Sequence, residues 1–285
     1  MTPIEKWFPL IGLAAMFLLG SLGFPRFVVI DATLRNVVIG AVISAVVSLG
    51  TAGWAARREL RRDERARTEA RKSSAAVVAA QLSSILGYQE AVARVACENL
   101  RMKSPSGADL EPWQGLLPFI GAAPVAHVDA RDLAFLVLAG RGDVLGEVVA
   151  ARDLAAGLAD VVQQYSDDRK RLVSSLPSFP TSDDDRVLEF TESMRRLRPQ
   201  MDVLNMLAMD VAANAINDTL ATLAAIRRFR AACRQVFADP DFLPMDDGSL
   251  GAYEKRMNAL KVERKKAFAK WVAARGRSEQ PQNNS

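Results

Sequence analysis

Between Arg35 and Arg57 the chain carries no charged side chain, and the stretch Asn36–Ala56 (NVVIGAVISAVVSLGTAGWAA) runs straight into an arginine-rich segment, Arg57–Lys72 (RRELRRDERARTEARK). At about 1.5 Å of rise per residue, a helix of that length covers the roughly 30 Å hydrocarbon core of a bilayer. A second apolar stretch precedes it, Trp7–Phe24 (WFPLIGLAAMFLLGSLGF), with Pro9 in its first turn and Pro25 at its close. The segment between them, Pro25–Arg35, is too short for a domain. The pattern predicts a transmembrane helical hairpin over residues 1–56, with spans near 7–24 and 36–56.

Basic residues near the span ends set the orientation. The connecting segment holds Arg26 and Arg35 against Asp31, whereas Arg57–Lys72 holds eight basic and four acidic residues. Both the N-terminus and everything after Arg57 are therefore expected in the cytoplasm, on the inner face of a bacterial plasma membrane. A competing reading treats the first stretch as a cleavable signal peptide ending near Ser21–Gly23, although Lys6 is offset by Glu5. In that case Asn36–Ala56 still anchors the chain.

The same arginine-rich segment accounts for the whole formal net charge of +4. The basic balance thus reports topology rather than a basic domain, and no nucleic-acid partner is expected. A mean hydropathy of only +0.03 likewise averages one very apolar end with an ordinary charged remainder.

Within the second stretch Gly40, Ser44, Ser48 and Ala52 recur every four residues, and Ala41, Ala45, Leu49 and Gly53 form a neighbouring row. Small residues let helix backbones approach closely in lipid, where packing rather than water drives association. This predicts a helix-packing face and a homo-oligomer. Arg57, Arg58, Arg61, Arg62 and Arg65 are candidate contacts for anionic lipid headgroups, each worth about 1 kcal/mol near the surface. The plain alternative is an ordinary stop-transfer flank.

Beyond the anchor the fold class is all-α: the hairpin is followed by an elongated cytoplasmic helical bundle, most simply antiparallel. Residues 57–102 read as a juxtamembrane helix that continues the second span and then acquires the stripe Val78, Leu82, Ile85, Gln89, Val92 and Ala96. Lys103–Asp109 (KSPSGAD) breaks it, and Leu110–Ala126 reads as an irregular apolar connector with Trp113 and Phe119. Residues 103–275 form the bundle. A short helix, Ala130–Leu138, is capped by Asp129; a long one runs from Asp143 to about Ser175 with Leu145, Val148, Ala151, Ala155, Leu158, Val162, Tyr165 and Leu172 inward. Arg186–Arg198 is expected to stop at Pro199, which opens a broadly buried helix to Phe237 marked by Leu204, Leu207, Val211, Ile216, Leu220, Leu223 and Phe229. A last helix, Leu250–Arg275, sets Tyr253, Met257, Leu260, Phe268 and Trp271 against a Lys/Arg face. Residues 276–285 are a polar tail expected to be disordered.

Catalytic signatures are scarce. The glycines lack GxxxxGK[ST] or GxGxxG order, there is no HExxH or GxSxG, and His127 is the sole histidine. Cys97 and Cys233 have no CxxC spacing and read as small buried hydrophobes. Asp210, Asn214, Asn217 and Asp218 share one helix face, which suits either a divalent cation or a solvated stripe. No enzyme activity, cofactor or metal is expected. Two functions remain. One is an interaction or scaffold module that self-associates through its spans and recruits a cytoplasmic protein. The other is a membrane-perturbing effector or small channel whose bundle senses a cytoplasmic signal.

Overall fold

The computed structural model describes residues 32–104, 107, 109–119, 128–177, 184–243 and 247–278. The first apolar stretch, His127, Pro124 and the last seven residues lie outside them. The described chain is helical, as expected: α1 (Ala32–Asn99), α2 (Pro112–Gly115), a 3-10 turn (Ala130–Leu133) leading into α3 (Ala134–Leu138), α4 (Gly142–Ser175), α5 (Asp184–Phe237) and α6 (Asp247–Ser278). The only bridge pairing among the described residues is the isolated one between Lys103 and Asp109. The chain divides into two compact units, Met1–Thr68 and Glu69–Ser285.

In the first unit the described part is helical up to Thr68, and its side chains from Ile43 to Ala52 are exposed all round. Among the described residues no helix is long and apolar enough to cross a membrane. The side chains of Asn36, Val38, Ile39 and Val42, which fall in the expected second span, lie outside that set.

The second unit buries two apolar clusters stacked along four helices. One gathers Val78, Leu82 and Ile85 of α1, Val148 and Ala151 of α4, Leu223 and Phe229 of α5, and Leu250 of α6. The other gathers Val92 and Ala96 of α1, Leu158 and Tyr165 of α4, Leu204 and Ile216 of α5, and Met257 of α6. Each large side chain withdrawn from water in this way contributes about 1.5–3 kcal/mol. The inward stripes follow helical spacing because the 3.6-residue repeat returns every third or fourth side chain to one face. Gln89, expected in the α1 stripe, is fully buried at the seam between the clusters, as are Thr219 and Thr222 of α5.

The order in which the helices meet the two clusters fixes their directions. α1, α4 and α6 pass from the first cluster to the second, and α5 alone passes from the second to the first. Ion pairs agree: Arg227 meets Glu254 at 2.7 Å between antiparallel α5 and α6, while Glu90–Arg256 joins parallel α1 and α6 and Arg101–Glu263 follows just beyond the end of α1. The expected antiparallel bundle is thereby corrected. The stretch between α1 and α4 is long enough to return along the bundle, so α4 need not reverse α1. On the way it buries Trp113 and Leu116 in one cluster and Leu133, Phe135 and Leu136 in the other.

Two further expectations change. Pro199 sits inside α5 instead of breaking it. Proline removes one backbone hydrogen bond and crowds the preceding turn. Here Met194 and Leu197 before it pack on the same cluster as Met201 and Leu204 after it, so both sides are held to one surface. The last helix extends to Ser278, which takes Gly276–Ser278 out of the expected tail. The capped turn at Asp129 is as expected: its carboxylate accepts the Arg131 N–H at 2.9 Å.

Gly115 is the tightest point of the connector, because a Cβ there would lie 2.5 Å from the Asn99 carbonyl oxygen at the end of α1. The obstacle is backbone and cannot swing aside. Gly115→Ala should therefore lower stability by about 1–3 kcal/mol. Gly157→Ala on an exposed turn of α4, where a Cβ meets nothing within 4 Å, should raise it by about 0.5–1 kcal/mol. Urea unfolding of the two variants checks both signs; an unchanged midpoint for Gly115→Ala would contradict the close approach.

Candidate functional site

The expected packing face is the first place to look for function. Gly40, Ser44, Ser48 and Ala52 are all exposed on α1, and a Cβ at Gly40, Gly50 or Gly53 would meet nothing within 4 Å. Among the described residues nothing covers this row. The Thr51 hydroxyl donates to the backbone carbonyls of Val47 and Ser48 at 3.0 Å, so its hydrogen-bonding need is met within the helix. Arg57, Arg58, Arg61, Arg62 and Arg65 are exposed as well, and the Arg58 guanidinium lies 5.4 Å from the centre of the Trp54 ring. Glu59, Asp63 and Glu64 lie among these five cations, so the segment carries a modest net positive charge.

A second site, which sequence reading missed, lies within the second unit. A cleft of about 550 Å³ opens between the end of α1, the Lys103–Asp109 bridge, the start of α2, one face of α5 and the last third of α6. Its position depends on how the connector is tied down. The Trp113 N–H donates to the Asn205 side-chain oxygen at 3.0 Å, and the Trp113 carbonyl accepts from Arg169 at 3.0 Å and Tyr165 at 3.3 Å. Tyr165 also donates to the Leu116 carbonyl. Burial pushes this phenol well above its ordinary value, so it remains a donor across the working pH range.

Glu111 is the hub of the same network. One oxygen accepts from Arg198 at 2.7 Å; the other accepts from the Trp113 indole and from Asn205, both at 3.1 Å. Its own N–H donates to the Gln114 side chain at 3.0 Å, closing the first turn of α2. Burial pushes the Glu111 carboxyl up, but hydrogen bonds from Asn205 and Arg198, the Arg198 charge and the Trp113 indole outweigh it and hold the pKa below its ordinary value. Arg198 also faces Asp202, whose other oxygen binds Arg275 at 2.9 Å.

Six basic side chains line the cleft: Arg101, Lys103, Arg198, Lys266, Lys270 and Arg275. Three acidic ones offset them in pairs, Glu263 with Arg101, Glu111 with Arg198 at 2.7 Å, and Asp109 with Lys270 at 2.7 Å. The hydrogen bond from Lys270 holds the Asp109 carboxyl below its usual range, with the charges of Lys270 and Lys103 adding to it. Trp271 and the buried Met209 supply apolar wall, and Arg275 stands 5.8 Å from the centre of the Trp271 ring. The lining comes from stretches far apart in the chain. The one sequence signal was the Lys/Arg face of the last helix beside Trp271.

The remaining candidates are structural. Asp210, Asn214 and Asn217 are exposed and Asp218 is half-buried. Among the described residues no acidic, histidine or cysteine group has metal-holding geometry. Cys97 and Cys233 are free, buried thiols in different clusters, and burial pushes their pKa values to about 11 and about 12. Such thiols are poor nucleophiles. Comparison of the chain with known protein families, with curated proteins and with solved structures gives no match.

Asp218 still has a measurable consequence. Desolvation raises its pKa from 3.8 to about 6. A carboxyl that binds its proton more tightly when folded stabilises the fold fully below its unfolded pKa, and that contribution is lost as pH rises through the folded value. Asp218→Asn should therefore stabilise the protein near neutral pH by about 1 kcal/mol, after discounting for its half-exposed position, and by almost nothing at about pH 4. Paired urea titrations at the two pH values test this; equal effects at both would refute the burial account.

Proposed function

We propose that this protein is a membrane-anchored helical-bundle interaction module that self-associates through the small-residue face of its second span and presents residues 69–278 to the cytoplasm. The carrying observation is the exposure of apolar side chains along the first part of α1. Val37, Ile43, Val47, Leu49 and Trp54 are 57–65% exposed, on a stretch of helix that carries no charged residue. A contiguous apolar surface of that kind marks an interaction site or a membrane contact, and an apolar span ending in a cluster of arginines fits the inner leaflet.

Self-association rests on the spacing of Gly40, Ser44, Ser48 and Ala52, and on their exposure. The Thr51 hydroxyl bonds its own helix rather than facing outward for a partner. That favours a dry packing face over the polar lumen of a pore. The arginine cluster adds electrostatic attraction to an anionic surface, which salt would weaken.

Two measurements test the reading. Because Cys97 and Cys233 are buried, Val272→Cys at an exposed position supplies an accessible thiol; a membrane-impermeant maleimide should label it only after cells are broken. Labelling in intact cells would overturn the topology. Cross-linking of the full chain in native membranes should give a dimer or larger species, and the pair Gly40→Leu with Ser44→Leu should remove it without releasing the protein from the membrane. A strictly monomeric wild type would sink the packing face.

A further inference from the structure

We infer that the cleft between α1, the connector, α5 and α6 binds a nucleoside phosphate. The site lies wholly within the second unit, so the inference is independent of the membrane reading. Its volume of about 550 Å³ lies within the roughly 300–1,000 Å³ range of small-molecule pockets.

The charges select an anion. After Glu263, Glu111 and Asp109 are paired with Arg101, Arg198 and Lys270, and Arg275 with Asp202, the cleft retains two cations outside those ion pairs, Lys103 and Lys266. Arg275 is held from behind by Asp202, which does not line the cleft, at 2.9 Å. Lys103 acts on Asp109 through space, and among the described residues Lys266 makes no ion pair. Two flexible ammonium groups facing one cleft match a phosphate chain.

The apolar wall selects a ring. Trp271 is half-buried and lines the cleft, with the Arg275 guanidinium over its ring and the Phe268 ring 5.9 Å from it. A flat heteroaromatic base gains stacking energy there that an aliphatic anion does not. Asp109 and Glu263 also line the cleft, each paired with a cation. The same carboxylates suit the hydroxyls of a ribose as acceptors. A simple inorganic anion would leave Met209, Leu110 and Trp271 without a partner.

Isothermal titration of the full chain in nanodiscs, with ATP, inorganic phosphate and adenosine as separate probes, tests this. ATP should bind saturably, one per chain, and more tightly than phosphate or adenosine. Lys103→Ala and Lys266→Ala, both at polar surface positions, should each weaken ATP by about tenfold, the loss of one charge-assisted hydrogen bond. Trp271→Leu should weaken ATP by about tenfold and leave phosphate unchanged; circular dichroism confirms that each variant folds. No saturable heat with ATP at millimolar concentration would overturn the proposal. ATP binding that survives the Lys103→Ala, Lys266→Ala pair would overturn it equally, and affinity for phosphate alone equal to that for ATP would remove the ring from the assignment.

Discussion

Apolar helix surface has to leave water, and in the second unit that requirement converges on α5. Three helices run one way and α5 runs the other, supplying apolar residues to both clusters from Met201 to Cys233. Its breadth of burial explains why a proline is tolerated at 199: contacts on both sides of the missing hydrogen bond exceed the cost of losing it, about 3 kcal/mol in an unsupported helix. The parallel course of α1 and α4 follows from the same requirement, because the intervening connector covers apolar surface as it returns.

That connector turns a packing solution into a site. It is irregular, so its backbone groups need partners other than helix ladders. Asn205, Tyr165 and Arg169 supply them to Trp113, and Arg198, Asn205 and the indole satisfy Glu111. Anchored there, the connector holds Lys103 and Asp109 opposite the basic end of α6 and leaves a concave, cation-rich space between them. The cleft is a consequence of how the chain returns from the end of α1 to the start of α4.

Much of the helical pattern was legible in the sequence, because spacing reports burial directly. The stripes Val78–Ala96 and Val148–Leu172 are buried as their periodicity requires. Helix direction was not legible, since it depends on where a prolyl, partly irregular connector packs. Pro199 misled for a related reason: local chemistry says break, and tertiary contacts on Met194 and Met201 say continue. The cleft had no motif to betray it, as its cations lie on three separate elements. Asp210, Asn214 and Asn217 had the opposite fault, a suggestive spacing on a face that is simply solvated.

In the first unit the same physical requirement is unmet by the described residues, since Ile43, Val47, Leu49 and Trp54 all stand exposed. We propose that lipid covers them. The direct measurement is alkaline carbonate extraction of membranes from cells expressing the full chain, beside a variant with Val46→Arg and Leu49→Arg. The wild-type chain should stay in the membrane pellet and the doubly charged variant should be released. A wild-type chain recovered in the carbonate-soluble fraction would contradict the lipid cover.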